Sequence, residues 1–480
     1  MIQSRSAILG MLLLISPYTT FAQQHGIHST SAQSSRPATT SGSVDPGIKT
    51  APPDAQITAA LKQISAERIR HTIEKLVSFH TRLTISPATA QAISAGHGVG
   101  AAREWIRSEF QRYSDACGGC LDVKTDSFTE GPVRRIPEPT EIVNVYAVLK
   151  GTDPANAGRI YVVVGHYDSR PSNDQDVDSA APGANDDGSG TAVVLECARV
   201  LSQKKFPATI VFLAVAGEEQ GLNGSRHFAK MARDQNWNIE AVLSNDIVGG
   251  DKTPGQDTHI VRVFSEGIPS TATPEEIKQI RALGQESDSP SRQLARYTRE
   301  ISRQYLLPAF GAKMIFRPDR YLRGGDHLSF NDQGYAAVRL TEYRENFAHQ
   351  HQNPRRENGI EYGDLPKFVD YDYVANVARL DAATLASLAS APGPPTDVRL
   401  ETKQLTNDST LSWNPPPGGL ASGYEVLWRI TTAPEWENVE PVTSGTKVTI
   451  DRSKDNVFFA VRSTDRQGHK SLPVIPKPER

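Results

Sequence analysis

VVVGHYDS (162–169), PGANDDGSG (182–190) and ATIVFLAVAGEEQGLNGS (208–225) decide how this chain folds. Each sets a short acidic group beside an apolar run or in a glycine-rich turn. His166 and Asp168 follow YVVVG. Asp186 and Asp187 lie in the turn that opens a helical stretch. Glu218 and Glu219 follow the apolar run of the third segment, and AVLSNDIVGG (241–250) repeats the arrangement with Asp246. Strands that are apolar along nearly their whole length are buried on both faces, which is the habit of a parallel sheet covered by helices. Such strands cannot carry charge in their middle. It collects at their carboxyl ends, the edge where open α/β sheets bind ligands.

Outward from this centre, helical and strand patterns alternate from about residue 56 to 390. EIVNVYAVLKG and RIYVVVGHYDS have strand character, and SGTAVVLECARVLSQ and GLNGSRHFAKMARD have helical character. DYDYVANVARLDAATLASLA closes the region as a helix. The fold class expected is therefore α/β, a mostly parallel central sheet with helices on both faces. APGPP (391–395) forms a proline-rich linker. Beyond it, residues 396–480 change to short strands punctuated by Pro and Gly, the pattern of an all-β sandwich. The order of TLSW, GYEVLWR and VFFAVRSTDRQG resembles a fibronectin type III domain.

The amino-terminal end differs in kind. Arg5 precedes the apolar run AILGMLLLI, and TFA at 20–22 is an acceptable cleavage site, so residues 1–22 have the form of a secretory signal peptide. The run is too short to span a bilayer comfortably. Residues 23–55 are rich in Ser, Thr, Gln and Pro, the composition of a low-complexity leader. The expectation is an exported protein, periplasmic or extracellular. With 480 residues the chain has room for one large domain and a smaller one, and its formal charge of -3 gives no reason to expect nucleic acid or a membrane as partner. Of three cysteines, Cys117 and Cys120 are spaced to close a small loop disulfide in an oxidising compartment. A metal or redox role for them lacks a second ligand pair, and Cys197 has the setting of a buried free thiol.

Imidazole plus several carboxylates at strand ends is the donor set of a hydrolytic zinc site. Asp168, two residues from His166, is placed to accept the other ring proton and hold the tautomer. Adjacent residues of an extended chain point to opposite sides. One of Glu218 and Glu219 can therefore bind metal while the other serves as general base. Taken singly, each of these motifs has an ordinary structural explanation: a hydrogen-bonded histidine, a turn, a helix cap. Their joint order carries the metal reading.

HYDS, PGANDDGSG, AGEEQGLNGS and NDIVGG together resemble metallopeptidase family twenty-eight, the di-zinc aminopeptidases, over roughly residues 60 to 390. The resemblance implies two Zn²⁺ ions per chain. It implies His166 as the first ligand, oriented by Asp168, and Asp186 as the carboxylate bridging both ions. Glu218 would be the general base, Glu219 the ligand of one zinc and Asp246 that of the other. For the last ligand, AHQHQNP (348–354) offers His349 and His351, and His349 is favoured, with Asn353 where the family carries an acid. Asp326 and His327 match a segment that lines the site. The implied activity is removal of amino-terminal residues from peptides with a free α-amino group, with the carboxy-terminal domain free to bind a surface or polymer. Two other activities occur on the same fold. A glutaminyl cyclase typically lacks the second aspartate of the pair, here Asp187. A carboxypeptidase for acidic dipeptides needs an arginine cluster, which Arg317, Arg320, Arg323 and Arg339 could supply. A catalytically inactive binding protein would have lost Glu218 or a ligand, and none is lost.

Overall fold

The structure, a computed structural model, describes Ile48 and residues 50–479. The signal-peptide and leader readings fall almost wholly on residues outside that range. Among the described residues no helix is long and apolar enough to cross a membrane.

Eight strands form the central sheet: β1 (Leu121–Glu130), β2 (Thr140–Leu149), β3 (Arg159–His166), β4 (Thr209–Val215), β5 (Asn238–Asn245), β6 (Ile260–Phe264), β7 (Gly311–Ile315) and β8 (Ala337–Glu342). Their order is β1-β2-β4-β3-β5-β8-β6-β7. The middle four, β4-β3-β5-β8, run parallel, while β1, β2 and β6 join antiparallel. This is the expected mostly parallel α/β sheet. β3 and β4 are buried along nearly every residue, as their apolar sequences require. β1 went unread in the sequence because it is an edge strand. LDVKTDSFTE exposes or half-exposes nearly every residue and contributes one fully buried side chain, Leu121.

The chain leaves β3 toward β4 on one side and later places β5 on the other. The connection reverses at β3, and a crevice opens at the carboxyl ends of β3, β4 and β5. Two helices pack behind it. Gly188–Leu201 is buried almost throughout, and Tyr371–Ser390 crosses it with an equally apolar face. The approach of Gly188–Leu201 to β3 depends on Gly165, where an added Cβ would meet the carbonyl carbon of Gly190 at 2.6 Å.

Cys117 and Cys120 are joined as a disulfide, and Cys197 is a buried free thiol. The carboxy-terminal region folds into a four-stranded and a three-stranded sheet around Val398, Leu411, Trp413, Val426, Phe459 and Val461. It is not held apart on a stiff spacer. Ala391, Pro392, Gly393 and Pro395 are buried, and Arg159 donates to the Ala391 carbonyl at 2.8 Å. The described residues form one compact unit. The helix Pro290–Tyr305 is the docking platform. Its Glu300 accepts two hydrogen bonds from the fully buried Arg462, at 2.6 and 3.1 Å. Asp288, just before the helix, accepts two from Arg429 at 2.9 Å each, and Gln293 accepts from the Trp436 indole at 3.1 Å. The stiff proline-rich sequence suggested separable domains. Buried charge on both sides of the contact makes separation costly, because each ion would be left without its partner.

Burial alone would push the Glu300 carboxyl up, but Arg462 and then Lys470 outweigh it and hold it below the ordinary value of 4.5. The group therefore stabilises the fold above about pH 4.5, and the contribution is lost as pH falls through its lower folded value. Arg462→Ala is expected to cost about 3–5 kcal/mol, read in urea or thermal unfolding at neutral pH. An unfolding midpoint within a degree of the parent would show that the interface does not depend on this pair.

Candidate metal centre

Each acidic group reaches the crevice by a local device. β3 delivers His166, whose backbone N–H donates to Asp187 Oδ2 at 3.0 Å. Asp187 is the N-cap of Gly188–Leu201, also accepting from the Gly190 N–H at 2.8 Å, so its carboxylate is spent on backbone. After β4, Gly217 takes φ +79, a left-handed turn that a side chain would strain, and the chain swings Glu218 and Glu219 across the end of β3. Asp168 receives them: its two oxygens accept from the Glu218 and Glu219 N–H groups at 3.4 and 3.2 Å, and from the Thr84 hydroxyl at 2.9 Å. Its Oδ1 lies 3.4 Å and its carbonyl oxygen 3.2 Å from His166 Nδ1. A proton on Nδ1 satisfies these acceptors and leaves the Nε2 lone pair facing the crevice.

There the candidates meet. His166 Nε2 is 3.3 Å from Asp186 Oδ1 and 3.8 Å from Asp246 Oδ1. His351 Nε2 is 3.0 Å from both Asp186 Oδ2 and Glu219 Oε1. Two donor groups result, His166–Asp186–Asp246 and Asp186–Glu219–His351, the donor atoms of each lying within 4.8 Å of one another. Asp186 belongs to both, with one oxygen toward each. His166 Nε2, Asp246 Oδ1 and Glu219 Oε1 are buried and form no hydrogen bond. Desolvated carboxylates left in that condition are costly, and a divalent cation accepting their lone pairs removes the cost. Nitrogen and oxygen donors without thiolate, three to a group, suit zinc with a position left open.

The residue of AHQHQNP that reaches the cluster is His351, not His349. His349 Nδ1 is 2.5 Å from Asp251 Oδ2, and its ring stacks on Phe368 with centroids 3.6 Å apart. Asp251 thus captures the first histidine as a structural pair. The chain then turns through a left-handed conformation at His351, φ +51, which aims the second histidine inward. Asn353 continues the tie, accepting from the Ser172 N–H at 2.8 Å and donating to the Ser179 hydroxyl at 3.2 Å. Two residues of spacing could not decide between these rings; Asp251, about a hundred positions away, does.

Other parts of the site carried no sequence signal. Arg82 is fully buried and donates to the carbonyls of Tyr167, Pro182 and Gly183 at 2.7, 2.6 and 2.8 Å, binding the HYDS segment to the turn that carries Asp186. Asp364 accepts from the Asn185 and Asp186 N–H groups at 2.8 and 2.6 Å, and burial pushes its carboxyl up to about 8. Arg339 places Nη1 2.8 Å from Asp246 Oδ2, leaving the other oxygen for His166. Asp326 is buried with neither oxygen hydrogen-bonded, and burial raises it to about 6. His327 Nε2 lies 2.7 Å from the Pro318 carbonyl oxygen. Burial, reinforced by Asp246, Asp326 and Glu219, holds the Glu218 carboxyl well above the ordinary range. Glu218 also lines the cleft, a space of about 390 Å³ shared with Asp186, Glu219, Asp246 and His351.

Comparison with known proteins identifies the family. Residues 144–368, which contain every candidate donor, match the model of peptidase family M28. A probable zinc metalloprotease of Leptosphaeria maculans is 43% identical over 436 residues, covering 90% of this chain and 99% of that one. A probable zinc metalloprotease of Pyricularia oryzae is 45% identical over 435 residues, covering 89% and 85%. Among solved structures, LapA of Legionella pneumophila shares the fold at a TM-score of 0.50 and 21% identity, over 72% of this chain and 79% of that one. With relatives of this identity along about nine-tenths of its length, the chain belongs to peptidase family M28.

Proposed function

We propose that this protein is an exported, zinc-dependent aminopeptidase that hydrolyses the amino-terminal bond of peptides. One observation carries the reading: the Asp186 carboxylate presents one oxygen to His166 at 3.3 Å and the other to His351 at 3.0 Å, between two donor groups, one buried and one reaching the surface at His351. The names of the relatives support zinc and peptide hydrolysis, and the signal-like segment at residues 1–22 supports export. His166, Asp186 and Asp246 would hold one ion, and Asp186, Glu219 and His351 the other. When bound, zinc supplies a Lewis acid for the scissile carbonyl and lowers the pKa of water toward neutrality.

The chain's own residues do the rest. Glu218 lines the cleft beside the donors without belonging to either group, so its carboxylate is available to take a proton from the attacking water and return it to the leaving amine. Asp168 holds the His166 tautomer and, through the Glu218 and Glu219 N–H groups, the position of both glutamates. Arg82 and Asp364 keep the Asp186 turn against β3. The carboxylates around the donors also give a substrate α-ammonium a counter-charge, the basis for requiring a free amino terminus.

The purified protein is expected to carry two zinc ions per chain by elemental analysis and to lose hydrolysis of a free-amine dipeptide amide on chelation. The acetylated dipeptide amide should be refused. A single ion with full activity would favour the glutaminyl-cyclase chemistry known on this fold.

Glu218→Gln should retain zinc and lower kcat by roughly 10²–10⁴-fold, the usual contribution of a positioned base. Glu219→Gln should instead lose metal. Exchanged phenotypes would exchange the two roles.

His351→Ala should lose one zinc ion and nearly all activity. His349→Ala should retain both ions and show a lower melting temperature, since its partners are Asp251 and Phe368. Zinc content of the two variants decides between them.

A further inference from the structure

The lining of the cleft says which peptides it selects. Five arginines face it: Arg135, Arg170, Arg226, Arg320 and Arg323. Leu222 is the one large apolar side chain among the described lining residues. A leucine or phenylalanine side chain of a substrate would find one large apolar side chain there, Leu222, to pack against.

Three of the five arginines are committed to the protein. Arg135 pairs with Asp174 at 3.2 Å and donates to the Glu219 carbonyl at 2.9 Å. Arg320 pairs with Asp319 at 3.0 Å and Glu345 at 3.1 Å, and Arg323 with Glu345 at 2.9 Å. The other two are not. Arg226 is exposed and makes no ion pair or side-chain hydrogen bond with the described residues. Arg170 reaches only the carbonyl of its neighbour Pro171, at 3.5 Å. Two arginines considered from the sequence drop out. Arg339 is buried against Asp246 and Asp319, and Arg317 lies over the Tyr321 ring, outside the cleft lining.

The charge balance sharpens the point, and here the inference rests on the two-zinc reading. Two divalent ions would offset the carboxylates of the two donor groups, Asp186, Glu219 and Asp246, the last of which Arg339 also pairs. Arg135, Arg320 and Arg323 are held by Asp174, Asp319 and Glu345, of which Asp319 is shared with Arg339 and Glu345 with Arg262. Arg170, half-buried, and Arg226, exposed, remain at the cleft without an ionic partner among the described residues, and a guanidinium so placed binds a carboxylate through paired, charge-assisted hydrogen bonds.

We propose that Arg170 and Arg226 are specificity-determining residues that select peptides carrying a free carboxylate close to the scissile bond. That carboxylate is an acidic side chain or the carboxy terminus of a very short peptide. The zinc-loaded protein is assayed on Ala-Ala-NH2 and Leu-Ala-NH2, which have none, on Glu-Ala-NH2 and Ala-Glu-NH2, which carry a side-chain carboxylate, and on Ala-Ala, which carries the terminal one. At least one carboxylate-bearing peptide should exceed Ala-Ala-NH2 about tenfold or more in kcat/KM, the size of effect expected for hydrogen bonds to a charged group. Which peptide does so identifies the source of the carboxylate. The double variant Arg170→Ala, Arg226→Ala should bring that ratio close to one. Neutral amides cleaved as well as the charged peptides, or a ratio unmoved by the double variant, overturn the inference while leaving the aminopeptidase reading intact. Hydrolysis of none of the five overturns that reading and the inference with it.

Discussion

Four carboxylates and the His351 imidazole line a cleft of about 390 Å³ at the carboxyl ends of three neighbouring parallel strands, and the buried His166 imidazole meets two of those carboxylates, Asp186 and Asp246. Mutual repulsion and lost hydration would drive such a group apart unless it is compensated. Two kinds of compensation operate. Divalent cations fit the unsatisfied atoms His166 Nε2, Asp246 Oδ1 and Glu219 Oε1. Fixed hydrogen bonds hold the surrounding backbone so that the acids cannot retreat. Asp168 does this for the Glu218–Glu219 turn, Asp187 for the end of β3, and Asp364 for the turn that carries Asp186. Carboxylates thus hold other carboxylates in place by accepting the backbone N–H groups beside them.

The same economy of charge reaches outward from the cleft. Arg82 works entirely on backbone carbonyls, so its charge stabilises two loops while remaining near Asp364 and Asp168. Arg339 occupies one oxygen of Asp246 and leaves the other for the donor group, which makes the two halves of the centre electrostatically unlike. The half containing Asp186, Glu219 and His351 has no arginine on its carboxylates' side chains among the described contacts. At the contact with the carboxy-terminal strands, Arg462 and Arg429 carry buried charge to Glu300 and Asp288. The carboxy-terminal sheets are therefore fastened by ion pairs that need a precise mate, which ties this region to one position on the helix Pro290–Tyr305.

The sequence by itself determined the α/β sheet, because β3 and β4 are apolar along nearly their whole length and only burial on both faces accommodates that. It also determined which strand ends carry the chemistry, since His166, Glu218, Glu219 and Asp246 stand where those apolar runs stop. Patterns within a few residues were enough for these. Tertiary structure decided the remainder. Whether His349 or His351 enters the centre turned on Asp251 and Phe368, which no local spacing reveals. Arg82 and Asp364 were invisible because their partners are backbone groups of distant segments. β1 was hidden because an edge strand needs little apolar sequence. The proline-rich APGPP segment looked like a spacer, yet most of it is buried, because Arg159 reaches the Ala391 carbonyl and Pro416 and Pro417 lie against Gly393. Periodicity and motif record the environment of a residue along the chain; partner choice among buried polar groups is settled across it.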